Sequence, residues 1–107
     1  MSVPVFDATA GGNDGAGSTS LAWNHVCGGT DRVLFVTLLF NGSVTGLTVT
    51  YNSVGMTQVD TVTTPSDVAY MFALVNPAAG THSVSAAWTT GRTVRGVSVS
   101  YTGAHQT

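Results

Sequence analysis

The chain has no lysine and no glutamate, and only 7% of its residues are charged, against roughly 25% in a typical soluble domain. Its basic side chains, histidine aside, are Arg32, Arg92 and Arg95, and the formal net charge is −2. Three scattered arginines form no patch that would neutralise phosphates, so neither nucleic acid nor an anionic membrane surface is an expected partner. No apolar run approaches the roughly 18 residues of a transmembrane helix. Cys27 is alone, which excludes an intrachain disulfide. Residues 1–7 contain neither a basic stretch nor a long apolar core, so a secretory leader is not expected. Without Glu and Lys the chain is also short of helix formers, whereas Thr and Val favour strands.

What the chain does have is strand pattern. Residues 32–40, Arg-Val-Leu-Phe-Val-Thr-Leu-Leu-Phe, are apolar on both parities and lie between Gly28-Gly29-Thr30-Asp31 and Asn41-Gly42-Ser43. About nine residues are short for a core helix, and Val33, Val36 and Thr37 are β-branched, so the run reads as a central strand with both faces covered. Residues 68–75 are apolar on both parities as well and make the second candidate for a central strand.

The remaining segments alternate. Residues 3–9 predict a first short strand, followed by a glycine-rich loop over residues 11–17. Leu21, Trp23 and His25 share one face of a strand over residues 18–26. Leu47, Val49 and Tyr51 share a face before the turn-like Asn52-Ser53-Val54-Gly55, and a strand from Met56 to about Thr63 stops before Pro65. After the turn Asn76-Pro77-Ala78-Ala79-Gly80, residues 81–89 place His82, Val84, Ala86 and Trp88 on one side. Gly91 predicts a hairpin turn into residues 92–102, where Val97, Val99 and Tyr101 are expected inward and Ser98 and Ser100 outward. About eight short strands with regular turn signals predict a single all-β domain over residues 1–107, an antiparallel β-sandwich.

Several segments together resemble a recurrent β-sandwich module of bacterial surface and secreted proteins and of phage virions. They are Trp23-Asn24-His25, Asp31-Arg32-Val33-Leu34-Phe35-Val36, Val49-Thr50 with the turn Tyr51-Asn52-Ser53-Val54-Gly55-Met56-Thr57, Leu74-Val75 with the turn Asn76-Pro77-Ala78-Ala79-Gly80-Thr81, and the terminal Val99-Ser100-Tyr101-Thr102-Gly103-Ala104-His105-Gln106. In that family the first of these turns usually carries a double glycine, where this chain has Ser53-Val54-Gly55. The resemblance implies a jelly-roll or immunoglobulin-like sandwich serving as a structural or adhesive module, and it brings no catalytic residue with it.

Candidate sites are few. His25 and Cys27 lie two apart, on one face of a strand, the spacing of a Cys–His nucleophile pair, but a small buried cysteine at a strand end is the simpler account. His25, His82 and His105 sit on separate segments without zinc-ligand spacing. Asp7, Asn13, Asp14 and Asp31 would suit calcium if they converged, yet Asp and Asn are also the usual residues of turns. Five aspartates on scattered turns, with no glutamate, do not suggest the paired carboxylates of glycoside hydrolysis. No catalytic, cofactor or metal site is therefore assigned. Trp23, Trp88, Tyr51 and Tyr70 are candidates for stacking on sugar rings, although each falls on the apolar parity of its strand, where core packing is the default.

The expectation is a non-enzymatic protein that works inside an assembly, such as a capsid decoration protein located in a phage virion, bound to capsid protein or to itself. The alternative is a carbohydrate-binding or adhesion module of an extracellular protein.

Overall fold

A computed structural model describes residues 5–103 of the chain, so Val3 and Pro4 of the first expected strand, and His105, lie outside the described residues. All regular structure in it is β, in seven strands: β1 (Val5–Cys27), β2 (Val33–Phe40), β3 (Thr48–Tyr51), β4 (Val54–Gly55), β5 (Thr57–Thr63), β6 (Val68–Val75) and β7 (Gly80–Thr102). Every pairing is antiparallel, in the order β4-β3-β7-β2-β6-β5, with β1 along the other side of β7.

The two 23-residue strands organise everything else. They pair from Val5↔Thr102 to Cys27↔Gly80 as one ribbon, and the ribbon folds over on itself. Residues 84–87 of β7 pair with β3, and residues 94–101 pair with β2, so the ribbon's two ends carry different strands. The ends face each other, because Trp23 of one end hydrogen-bonds Ser98 of the other.

Two sequence expectations are corrected here. Residues 11–17 form no separate loop, and Gly91 makes no hairpin turn. Both lie inside continuous strands at the fold of the ribbon. A Cβ on Gly91 would stand 3.0 Å from the Cα and O of Gly17, so this glycine permits two backbones to approach rather than reversing the chain. The fold itself is accommodated by register shifts in both strands, β1 running ahead between Asp14 and Ser18 and β7 between Ala87 and Arg92, irregularities of the kind that bend a strand.

Continuity of β7 carries a second correction. Since no turn intervenes, the even residues that face inward at Val84, Ala86 and Trp88 remain inward at Val94, Gly96, Ser98 and Ser100. Ser98 and Ser100 are fully buried, whereas Val97 is 43% exposed. The expected inward valines and outward serines are reversed.

The core gathers Leu34, Val36, Leu38 and Phe40 of β2 with Tyr51, Phe72, Val84 and Trp88. As the sequence predicts, β2 and β6 each have a strand on both sides, but the expected cover on both faces is corrected: Leu39, Met71 and Val75 are exposed on the outer face, and only the other face packs on the core. The Asn52-Ser53 turn joins β3 to β4 with both residues at positive φ (51° and 63°), the backbone twist that suits a two-residue hairpin. The Asn76-to-Gly80 turn is held by Arg32, whose Nε donates to the Pro77 carbonyl (2.7 Å) and whose guanidinium also reaches Gly29 O (2.8 Å).

Candidate functional site

The densest arrangement of chemically active side chains is a buried ladder between the two ends of the ribbon. From β1 come Trp23, His25 and Cys27, at alternate positions and therefore on one face. From β7 come Ser98 and Ser100, and from the start of β1 comes Asp7. The Trp23 Nε1–H donates to Ser98 Oγ (2.8 Å), and Ser98 Oγ lies 2.7 Å from His25 Nδ1. His25 Nε2 lies 2.8 Å from Ser100 Oγ, which donates to Asp7 Oδ2 (2.8 Å). The Gly28 N–H donates to the same carboxylate oxygen (2.9 Å).

The carboxylate end of this chain fixes the direction of its protons as far as His25 Nε2. An indole N–H can only donate and a carboxylate can only accept. Ser100, donating to Asp7, accepts from His25 Nε2–H. In a neutral imidazole His25 Nδ1 is then an acceptor, and Ser98, which accepts from Trp23, donates to it. Burial lowers the pKa of His25, and the nearby Asp7 charge opposes that shift only in part, so burial favours this neutral form.

Sizes match as well as polarity. The Trp23 ring rests on the cross-strand glycine pair Gly12↔Gly96, and a Cβ on Gly96 would stand 2.4 Å from its Cη2. Large side chains on one end of the ribbon meet Gly and Ser on the other, which is why the serines point in. No buried side-chain nitrogen or oxygen among the described residues lacks a hydrogen-bond partner.

This geometry resembles a Ser-His-Asp relay in composition but not in order. In the relay the histidine stands between serine and carboxylate, whereas here Ser100 stands between His25 and Asp7. Both hydroxyls are fully buried, leaving a substrate carbonyl no approach. The expected juxtaposition of His25 and Cys27 is present, with both side chains inward and buried, but both ring nitrogens of His25 are engaged by serines. Burial raises the Cys27 thiol pKa, opposed by hydrogen bonding with Tyr51 and Ser100. The Tyr51 hydroxyl donates to the His25 carbonyl (2.9 Å), and burial pushes its pKa up. Chemically, the ladder locks the two ends of the ribbon in register and orients one neutral imidazole.

The other residues singled out by sequence are dispersed. His82 packs edge-on to Tyr51 (5.7 Å between ring centroids), and its Nε2 lies 3.0 Å from Ala79 O. Asp7 does not meet Asn13 and Asp31 in a common cage: its carboxylate is bound to Ser100 and Gly28, Asn13 pairs across the ribbon with Arg95, and Asp31 sits at positive φ in a turn; the side chain of Asp14 lies outside the described residues. The described residues contain no group of three or more His, Cys or Asp side chains placed to hold a metal ion. Of the four stacking candidates, Trp23, Trp88 and Tyr51 are buried, with the Trp88 Nε1–H spent on Ser18 O (2.8 Å). Tyr70 is half-buried, its ring edge-on to Phe40 and its hydroxyl accepting from Val44 N (3.2 Å). Each ring falls where its apolar strand parity directs it, and that parity faces the core.

Sequence reasoning missed Asp7, Ser98 and Ser100 as partners of His25. The signal was present in a polar histidine on the same apolar face as Trp23, which needs buried partners when it is drawn inside.

The surface holds the second candidate. On the outer side of the half formed by residues 5–14 of β1, the end of β7, β2, β6 and β5, the cross-strand rows are largely apolar. One runs Phe6–Tyr101–Val33–Val75 and another Gly11–Val97–Thr37–Met71, ending on Asp60. Phe6 (58%), Val62 (54%), Val75 (44%), Leu39 (41%) and Met71 (37%) are substantially exposed there. A depression of about 630 Å³ opens where Gly11 contributes no side chain, beside Leu39, Val97 and Arg95. The outer side of the other half is small and polar, with rows Ser20–Ala87–Thr48 and Ala22–Ser85–Thr50.

No known protein family, curated protein or solved structure matches this chain.

Proposed function

We propose that this chain is a non-enzymatic structural protein that acts by being bound within an assembly, as a virion component of the capsid-decoration type, its strands arranged as a sandwich in which the folded ribbon supplies two pairs of segments. The observation that carries the reading is the outward apolar face across β7, β2, β6 and β5. Soluble monomers rarely expose a contiguous apolar patch of more than a few hundred Å², and larger ones mark binding surfaces. The bordering edge strand β5 is exposed at all seven of its residues, and only Asp60 and the register shift beside it discourage pairing there. The virion setting draws its support from the resemblance in the sequence. The alternative of carbohydrate binding draws less, because Trp23, Trp88 and Tyr51 have no face in solvent.

The test is the mass of the full chain in solution, by light scattering over a rising concentration series, together with imaging of any particle from which it is isolated. Oligomers or a particle-bound form are expected. A monodisperse monomer at the highest attainable concentration, with no particle, would overturn the reading.

A further inference from the structure

We infer that the apolar outer face is a self-association surface whose occupant is a second copy of this chain, related by a two-fold axis parallel to the strands and lying between β2 and β6; this rests on the assembly reading above and names its partner. Three properties of the face support it.

The first is charge. Within the four cross-strand rows from Val33 to Leu39, the face carries two charged residues of opposite sign. Arg95 is on β7, one strand to one side of β2, and Asp60 is on β5, one strand beyond β6, in adjacent rows. A two-fold axis between β2 and β6 exchanges the positions of β7 and β5. It sets Arg95 of each copy diagonally opposite Asp60 of the other, about one row or ~7 Å along the strand, within reach of an arginine side chain. A surface that pairs its own charges in this way is self-complementary, as a two-fold contact demands.

The second is shape. The same axis lays β2 on β6 of the second copy with rows preserved. Phe35 then faces the position of Ala73, and Leu39 that of Ala69, since these are the residues paired with them within one copy. Large meets small in both rows, the condition for two sheet faces to interdigitate at ~10 Å.

The third is area. Four strands spaced ~4.8 Å apart and four rows of ~7 Å give a planar footprint of roughly 500 Å² per copy. The total of about 1,000 Å² lies at the lower limit of specific interfaces. The expected dimer is therefore weak and concentration-dependent.

Sedimentation velocity on the full chain, with circular dichroism to verify folding, tests this through Arg95→Asp, Asp60→Arg, the double exchange of both, and Val97→Asp. A monomer–dimer equilibrium is expected, weakened more than ~10-fold by either single charge reversal and by Val97→Asp, and restored by the double exchange. Val97→Ser replaces Val97→Asp should the latter fail to fold. If the chain assembles but the double exchange is no stronger than the single reversals, and Val97 variants leave the mass unchanged, the two-fold inference fails while the assembly reading stands. If the chain alone stays monomeric and is recovered only on a particle of other proteins, the inference also fails and the face belongs to a different partner. A monomer under every condition removes both.

Discussion

The two halves of β7 present opposite chemistry with the same parity. In residues 80–89 the inward positions are Val84, Ala86 and Trp88 and the outward ones Ser83, Ser85 and Ala87, as amphipathic patterning would have it. In residues 92–102 the inward positions are Val94 and then Gly96, Ser98 and Ser100, and the outward ones include the exposed Val97. The difference lies across the core. The first half faces apolar strands, whereas the second faces Trp23 and His25, which need room and hydrogen bonds. Which residue of a strand faces inward is decided by what stands opposite as much as by its own hydropathy, and the displaced valines become the outer face.

The comparison is broken most severely at Trp23, the large side chain that the glycine and serine side of β7 accommodates. Trp23→Ala leaves a void above Gly12 and Gly96, and Ser98 without its donor. A loss of ~3–5 kcal/mol is expected for removing a buried tryptophan, read as a lowered denaturant midpoint. A loss below ~1 kcal/mol would mean that the ribbon ends do not meet as described.

A paired substitution on neighbouring residues of β7 sharpens the comparison. Ser98→Val would make the second half resemble the first, yet it removes the acceptor for Trp23 Nε1–H and the donor to His25 Nδ1 while adding bulk. It is expected to cost ~2–3 kcal/mol from unsatisfied and overpacked groups. Val97→Ser changes the adjacent outward position and is expected to alter monomer stability by no more than ~0.5 kcal/mol. Equilibrium unfolding of both variants decides the matter. The reverse ranking would restore outward serines and inward valines.

That reversal shows where sequence is informative and where it is not. Strands β2, β3 and β6 were legible because their patterns are local: both-parity apolar runs at residues 33–40 and 68–75, and Val49 and Tyr51 on one face. The ribbon was not, because Gly17 and Gly91 read as chain breaks when taken singly, whereas their role is mutual, two backbones passing closely at the fold. Once Gly91 was read as a turn, the parity of everything after it was free to slip by one, and the valines took the inward positions by hydropathy alone. The ladder was hidden for the same reason: Asp7, His25 and Ser100 are brought together by a register extending from one end of the chain to the other. Local patterning of His25 gives its face and not its partners.

The smallest effect concerns the proton on His25. Burial sets its folded-state pKa below the ordinary 6.5, so the unfolded chain binds this proton more readily than the folded one. Stability then rises with pH where the two states differ in protonation. The contribution of a neutral His25 is whole above pH 6.5 and declines as pH falls from 6.5 toward the folded-state pKa. An NMR titration of the folded protein is expected to place the His25 ring midpoint below 6.5, with Nε2 carrying the proton of the neutral form. Protonating Nδ1 would turn the acceptor of the Ser98 hydroxyl into a donor and force that hydroxyl toward the Ala10 carbonyl, 3.4 Å away, a longer and weaker bond. A midpoint above 6.5 would show instead that attraction to Asp7 outweighs burial. The ladder would then hold an imidazolium, and its serines would be there to solvate a charge rather than to wire a neutral ring.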